Sequence, residues 1–83
     1  MALHLIFHSR SLEDCLLYAD PGDDLVLLGD GVNAQEKLSV TAFILKSDAE
    51  SRGTMVPSPH KFINTAELAD LTEKHEKIVS WPA

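Results

Sequence analysis

The chain has 83 residues, 45% of them apolar and 24% charged, and its 13 acidic and 7 basic residues give a net charge of −6. This composition is typical of a folded domain and excludes an intrinsically disordered chain. The negative charge and the absence of a Lys/Arg cluster argue against a direct nucleic-acid groove, because phosphate backbones repel such a surface. We expect one domain over residues 1–83, with a small core that favours partner subunits.

The cysteine count and the apolar runs exclude further classes of protein. Cys15 is the only cysteine, so an internal disulfide and a CxxC metal site are both excluded. No apolar stretch approaches the ~20 residues of a membrane span. The first residues lack a basic region and their apolar run is interrupted by His4, so we expect no signal peptide and a cytoplasmic location.

The first third of the chain predicts a strand, a helix and a second strand. Residues 3–8 are apolar and β-compatible, and a serine at position 9 or 11 offers a helix N-cap. The helix is indicated by apolar residues at i, i+3, i+4 and i+7, which are Leu12, Cys15, Leu16 and Ala19. After a stop signal at residues 20–23, Leu25–Leu28 is continuously apolar, as is typical of a strand covered on both faces.

The rest of the chain continues the alternation of extended and helical patterns. A turn is predicted at Gly29-Asp30-Gly31, followed by a short helix within Asn33–Leu38 and a third strand at Thr41–Leu45. The next helix has a capping box at Ser47-x-x-Glu50 and ends near Gly53, and a loop marked by Pro57 and Pro59 leads to a fourth strand at Lys61–Ile63. The last helix has a capping box at Asn64-x-x-Glu67 and an apolar face of Leu68, Leu71, His75 and Ile78.

Strands that alternate with helices indicate βαβ units and a parallel sheet. We predict a small flavodoxin-like α/β domain of three layers, with a four-stranded, mainly parallel sheet in the order 2-1-3-4 and helices on both faces. The gap between Leu28 and Thr41 is barely long enough for a parallel crossover, so this connection must be abbreviated.

Cys15 is the only strong nucleophile, and it has two interpretations. A reactive thiol needs a lowered pKa and exposure, whereas Glu13 and Asp14 beside Cys15 disfavour the thiolate and the predicted helix directs it inward. Arg10, the nearest cation, is more than one turn away. Packing as a small buried hydrophobe is therefore the favoured interpretation, and a sulfur-handling thiol is the alternative.

The remaining polar candidates favour structural roles. His4 and His8 would lie ~13 Å apart on one strand face, too far for one metal ion, and we see no ligand partner for His60 or His75. Asp23 and Asp24 are interpreted as loop charge. We expect no metal and no cofactor.

Asp30 follows a central strand, at the edge where open α/β sheets place their sites. It either forms part of a site or interface, or stabilises the turn through local backbone amides. The Gly29-x-Gly31 pair lacks the third glycine and the long following helix of a phosphate loop. A small nucleotide- or flavin-binding module is still an alternative, since fold alone does not determine function.

Short segments along nearly the whole chain carry a family resemblance through their order and spacing. They are Leu3-His4 and Ser9, Ser11-Leu12-x-x-Cys15-Leu16, Gly22-Asp23, Leu28-x-Asp30-Gly31-Val32, Asp48 with Arg52-Gly53, Leu71-Thr72-x-Lys74-His75, and Lys77-x-x-Ser80-Trp81. In these segments the chain resembles the TusB/DsrH family of bacterial sulfur-relay subunits. The stretch after Val32, where relatives carry a longer helix, is shorter in this chain.

The resemblance implies a DsrEFH-like fold and a non-catalytic role in a sulfurtransferase complex. The implied partners are TusC/DsrF-like and TusD/DsrE-like sister subunits in a hetero-hexamer, together with a downstream sulfur carrier protein. In one branch of the family the persulfide sulfur ends in 2-thiouridine at the tRNA wobble position, and in the DsrH branch it serves sulfur oxidation. The resemblance places the main persulfide cysteine on the TusD/DsrE-like subunit. It leaves Cys15 as a candidate thiol and Asp30, Gly31 and Val32 as interface or turn residues. A homo-oligomer is the alternative when the chain is expressed alone.

Overall fold

The computed structural model describes residues 2–32, 41–53 and 60–81. Within these ranges strands alternate with helices. In chain order the elements are β1 (Ala2–Ile6), α1 (Leu12–Tyr18), β2 (Asp24–Leu27), β3 (Phe43–Leu45), α2 (Lys46–Ser51), β4 (Lys61–Ile63), α3 (Thr65–Lys74) and β5 (Lys77–Trp81). A short 3-10 helix, Ser9–Ser11, leads directly into α1.

The strands form one parallel sheet in the order β4-β3-β2-β1-β5. The predicted parallel α/β architecture is confirmed, but the predicted four strands and the order 2-1-3-4 are wrong. The predicted order would place β3 next to β1, on the side away from β2. In the structure β3 instead lies next to β2, with Leu27 paired to Ile44. Consecutive strands usually lie beside each other in a sheet, and β1 to β4 follow this tendency.

The fifth strand was not predicted, because its residue Ile78 also fits the helical spacing of the preceding segment. The last helix was expected to include Ile78, but α3 ends at Lys74 and Ile78 lies in β5, paired with Leu3 of β1. Ile78 and Val79 are β-branched residues that fit a pleated surface better than a helix. Their pairing covers an edge of β1 that a four-stranded sheet in the observed order would have left open.

The core has two parts, one on each face of the sheet. Helices α1 and α2 cover the first face, where the buried residues are Ile6, Leu12, Cys15, Leu25, Leu27, Val32, Ala42, Ile44 and Ala49. Helix α3 covers the second face, where Leu68 and Leu71 pack against Leu3, Val26, Leu28 and Ile63. The predicted placement of helices on both faces is therefore confirmed. Central strand β2 contributes to both clusters, as its continuous apolar run indicates.

The helix ends show where local sequence signals succeed and fail. The Asn64 capping box is confirmed: Glu67 N–H donates to Asn64 Oδ1 over 2.8 Å and Asn64 N–H donates to Glu67 Oε1 over 3.0 Å. The box predicted at Ser47 is wrong, because α2 begins straight from β3 with Leu45 as its N-cap, and Ser47 lies inside the helix. Gly53 ends α2 with φ +64°, as predicted. The helix expected at residues 33–38 and the loop at Pro57 and Pro59 lie outside the described residues.

Two histidines join neighbouring elements. His60, almost buried before β4, accepts a 3.1 Å hydrogen bond at Nδ1 from the backbone N–H of Ala42. His75 lies just after α3, with Nδ1 2.9 Å from the Leu71 carbonyl and Nε2 3.0 Å from Asp24 Oδ2. The His75 ring thereby links the end of α3 to the start of β2. Each histidine thus has a structural partner that the sequence did not reveal.

Candidate functional site

The turn after β2 lies at the carboxyl edge of the sheet, where parallel α/β folds place their sites. Residues 29–32 form a tight helical turn, with the Gly31 N–H bonded to the Leu28 carbonyl over 3.0 Å. A Cβ on Gly31 would lie 2.0 Å from the Ile6 carbonyl oxygen, so only glycine fits against β1. Gly29 has φ +57°, a left-handed conformation that glycine adopts without strain.

Helix α2 holds this turn through three polar contacts. Asp48 Oδ2 accepts a 2.7 Å hydrogen bond from the Gly29 N–H, and Arg52 Nε donates over 3.0 Å to the Gly29 carbonyl. The Arg52 guanidinium also lies 2.8 Å from Asp30 Oδ1. We call Gly29, Asp30, Asp48 and Arg52 the turn cluster. It explains the resemblance segment Asp48 with Arg52-Gly53, whose polar residues satisfy the backbone of the turn.

The predicted site residues at the turn differ in their exposure to solvent. The Asp30 side chain is 52% exposed and that of Arg52 36%, and His8 Nε2 lies 3.9 Å from Asp30 Oδ2. Val32 is fully buried in the first core cluster. The structure therefore places Asp30 at the surface and buries both Gly31, which packs against β1, and Val32, which packs in the core. The cluster carries opposite charges and no nucleophile, so its chemistry suits recognition of a charged or polar surface.

Cys15 lies away from solvent on the inward side of α1, packed within the first core cluster. Burial, together with the nearby Asp23 carboxylate, raises the pKa of the Cys15 thiol to about 11. At pH 7 only about one such thiol in 10⁴ is a thiolate, the form that attacks sulfur. This geometry favours the packing interpretation of Cys15 over the reactive one.

Sequence reasoning missed a buried polar network that extends from the loop before β2 to the end of β5. His4 is fully buried in β1, with Nε2 2.9 Å from Asp23 Oδ2 and Nδ1 3.0 Å from Trp81 Nε1. Because an indole N–H only donates, Nδ1 must accept, and the ring proton therefore lies on Nε2 and is donated to Asp23. We call His4, Asp23 and Trp81 the histidine network.

Asp23 is the acceptor at the centre of that network. The hydrogen bond from His4, with others from the backbone N–H groups of Ala2 (2.8 Å) and Asp20 (3.0 Å), holds the pKa of the Asp23 carboxyl well below its usual range. Tyr18 completes the surroundings, with its ring edge-on to His4 and Trp81 at centroid distances of 6.0 and 5.7 Å. Reading Asp23 as loop charge was wrong; a histidine inside an apolar strand was the signal that a buried partner existed.

The described ranges contain no group of three or more His, Cys, Asp or Glu side chains that could hold a metal ion. Among the helices α1 to α3, none is long and apolar enough to cross a membrane.

Comparison with known protein families identifies one family. No curated protein sequence matches the chain. The sequence model of the family described as "DsrH like protein" matches residues 6–78. This range begins at the end of β1 and ends within β5, so it includes the turn cluster, Cys15 and α1 to α3. The chain belongs to the DsrH-like family, the TusB/DsrH family of its sequence resemblance.

Proposed function

We propose that this chain is a non-catalytic subunit of a cytoplasmic sulfurtransferase complex, in which persulfide sulfur passes between carrier proteins. Membership of the DsrH-like family supports a sulfur-relay role, and the family works with DsrE- and DsrF-like partners. We infer a hetero-hexamer with TusC/DsrF-like and TusD/DsrE-like sister subunits, which delivers sulfur to a downstream carrier protein.

The observation that carries the proposal is the state of Cys15. Persulfide transfer requires a thiolate that attacks the donor sulfur and becomes accessible to the next acceptor. Cys15 is the only cysteine of the chain, is fully buried and has a pKa raised to about 11. The sulfur-carrying cysteine of the complex therefore lies on a sister subunit, and Cys15 contributes to the core that supports the assembly.

The turn at Asp30-Gly31-Val32 is the part of the carboxyl edge that we assign to subunit contact. The Asp30–Arg52 pair lies at the surface and is held from beneath by Asp48 and the Gly29 backbone. Because this ion pair is already held in place, it loses little conformational entropy on binding. Gly31 and Val32 fix its position against β1 and the core.

We propose that the sulfur is used to form 2-thiouridine at the tRNA wobble position, and this product can be measured directly. Deleting the gene for this chain is expected to abolish 2-thiouridine in digested tRNA, and a plasmid copy is expected to restore it. Unchanged 2-thiouridine together with impaired sulfur oxidation would instead assign the complex to the DsrH branch.

Assembly and sulfur loading are tested together on the co-expressed subunits. Native mass spectrometry is expected to show a hetero-oligomer containing this chain. After treatment with a persulfide donor, intact mass is expected to rise by about 32 Da, one sulfur atom, on a sister subunit and not on this chain. The Cys15→Ser complex is expected to load equally. A gain on this chain that Cys15→Ser abolishes would make Cys15 a sulfur carrier, and failure of any hetero-oligomer to form would reject the proposal.

A further inference from the structure

Helix α1 turns an unusual apolar surface toward solvent. Its inward side buries Leu12 and Cys15, whereas Leu17 on the opposite side is 88% exposed. Tyr18 and Leu16 flank it at 52% and 40% exposure. Scattered exposed hydrophobics are common on protein surfaces, but Leu16, Leu17 and Tyr18 together form an apolar stripe that runs across the outward half of the helix, with Leu17 at its centre. Such a stripe, rimmed by polar groups, indicates an interaction surface.

The rim of this stripe is predominantly acidic. Glu13 and Asp14 are exposed one helical turn before Leu17, so they are its neighbours on the helix surface. Asp20, just beyond the helix, is also exposed, and Arg10 in the preceding turn is the exposed cation on this side. Three carboxylates therefore surround the apolar centre with one guanidinium. A further nearby charge, Lys77, is engaged with Tyr18, whose hydroxyl accepts a 2.6 Å hydrogen bond from Nζ.

We propose that the outward face of α1, formed by Glu13, Asp14, Leu16, Leu17 and Tyr18, binds an apolar patch rimmed by lysine or arginine on a DsrE- or DsrF-like subunit. This inference rests on the proposed function and adds the surface and the chemistry of the partner. Complementary charge around an apolar centre determines which partner binds and in which orientation.

A second copy of the chain fits this surface poorly. Two copies in contact would each bring three carboxylates and one guanidinium, so like charges would come together in a desolvated contact. The net charge of −6 adds to that repulsion. The charge of the rim thus selects a basic heterologous partner.

Other exposed apolar side chains do not form an equivalent surface. Phe7, Phe62 and Ile78 are 40–43% exposed, less than half the exposure of Leu17. Phe7 follows β1, Phe62 lies in edge strand β4 and Ile78 in edge strand β5, so they are separate in the sheet. Helix α1 is the described element that combines consecutive exposed apolar residues with a charged rim.

The test uses the chain co-expressed with the DsrE- and DsrF-like subunits of the same genome, with an affinity tag on the DsrE-like subunit. Leu17→Ser removes the apolar centre, and the double variant Glu13→Lys/Asp14→Lys reverses the rim. The matched control is Asp70→Lys/Glu73→Lys, which makes the same charge change at exposed positions of α3 on the other face of the sheet. All these sites are exposed, so each variant is expected to fold.

Each α1 variant is expected to lower the amount of chain retained on the tagged subunit by about tenfold or more, while the α3 control is retained like wild type. In the wild-type complex, a carbodiimide is expected to link Glu13 or Asp14 to a lysine of a sister subunit. Equal retention of wild type and the α1 variants, equal loss in the control, or carboxylate links only between two copies of this chain would overturn the inference. If the wild-type chain is not retained at all, the proposed function itself is wrong.

Discussion

The turn cluster follows β2 at the carboxyl edge of the sheet, whereas the histidine network extends from Asp23, before β2, to Trp81, at the end of β5. Both join charged or polar side chains to the backbone. The turn cluster is exposed: its Asp30 carboxylate is 52% accessible. The histidine network is enclosed: His4 is fully buried and the Asp23 side chain is 6% exposed. The turn cluster therefore presents charge to the solvent, whereas the histidine network shields its polar atoms from the solvent.

This difference in burial determines what each group does for the molecule. An exposed ion pair contributes little to stability, because water already solvates both charges. A buried hydrogen-bonded group contributes through the cost of leaving its partners unsatisfied. The histidine network is thus expected to hold β1, β5 and the loop before β2 together, whereas the turn cluster is free to use its charges for recognition.

The largest expected effect concerns the backbone beneath the turn cluster. Gly31→Ala would place a Cβ 2.0 Å from the Ile6 carbonyl oxygen. Because the obstacle is backbone, β1 and the turn would have to separate, at a cost of about 3 kcal/mol in the free energy of unfolding. Urea denaturation followed by circular dichroism measures this cost.

Gly53→Ala is the matched control, since its Cβ would meet nothing within 4 Å and only its φ of +64° is unfavourable. Its expected cost is about 1 kcal/mol. Equal costs for the two variants would show that close packing of the turn on β1 is not what requires Gly31.

The next effect compares the two histidines of the first strand region. His4→Leu would leave the Trp81 indole N–H without its acceptor and Asp23 without its main donor, and is expected to destabilise the fold by about 2 kcal/mol or more. His8→Leu, beside the turn cluster, removes the side chain that caps the Ser9–Ser11 turn by accepting from Arg10 N–H over 3.1 Å, and is expected to cost less, about 1 kcal/mol. Chemical denaturation of both variants measures the contrast, and similar costs would contradict it.

The pH dependence of stability reports on the histidine network through Asp23. Its pKa is held well below the ordinary 3.8 in the folded chain, so the unfolded chain takes up this proton first as the pH falls. Stability from Asp23 is therefore present above about pH 4 and decreases as the pH falls toward the folded pKa.

The measurement is the free energy of unfolding of wild type and Asp23→Asn between about pH 6 and pH 2. The other carboxylates are common to both proteins, so their contributions largely cancel in the difference. The advantage of wild type is expected to shrink with acidification. A difference that is independent of pH would show that the charge of Asp23 does not stabilise the fold.

The sequence predicted best where local signals and burial agreed. The apolar run at residues 25–28 became β2, the short run Lys61–Ile63 became β4, and the Asn64 box capped α3. The turn at Gly29–Gly31 was also predicted, because glycine and aspartate after an apolar run are a local turn signal. The packing of Gly31 against the Ile6 carbonyl was not predicted, because it joins distant parts of the chain. The partners of Asp30 were not, since Arg52 is 22 residues away and its position depends on how α2 follows β3.

Errors arose where pairing across the sheet decided the outcome. Residue Ile78 continues the helical spacing of Leu68 and Leu71, yet it pairs with Leu3 at the other end of the chain. Likewise, Trp81 lies 77 residues from His4, so a local pattern carries no sign of their hydrogen bond. Strand order and buried polar partners are long-range properties that propensity and periodicity do not encode.

The smallest expected effect tests the exposed side of the comparison. Asp30→Asn and Arg52→Gln each weaken a surface ion pair, and each is expected to cost about 0.5 kcal/mol of stability, with less coupling between them as salt is raised. A double-mutant cycle measures that coupling by urea denaturation at low and high ionic strength.

The Asp30→Asn chain is nevertheless expected to be retained less well than wild type by its sister subunits, because our proposal assigns Asp30 to their contact. Loss of stability above about 2 kcal/mol would instead make the pair part of the fold. Small stability changes with unchanged retention would leave Asp30 as a turn-stabilising residue and place the subunit contact elsewhere on the chain.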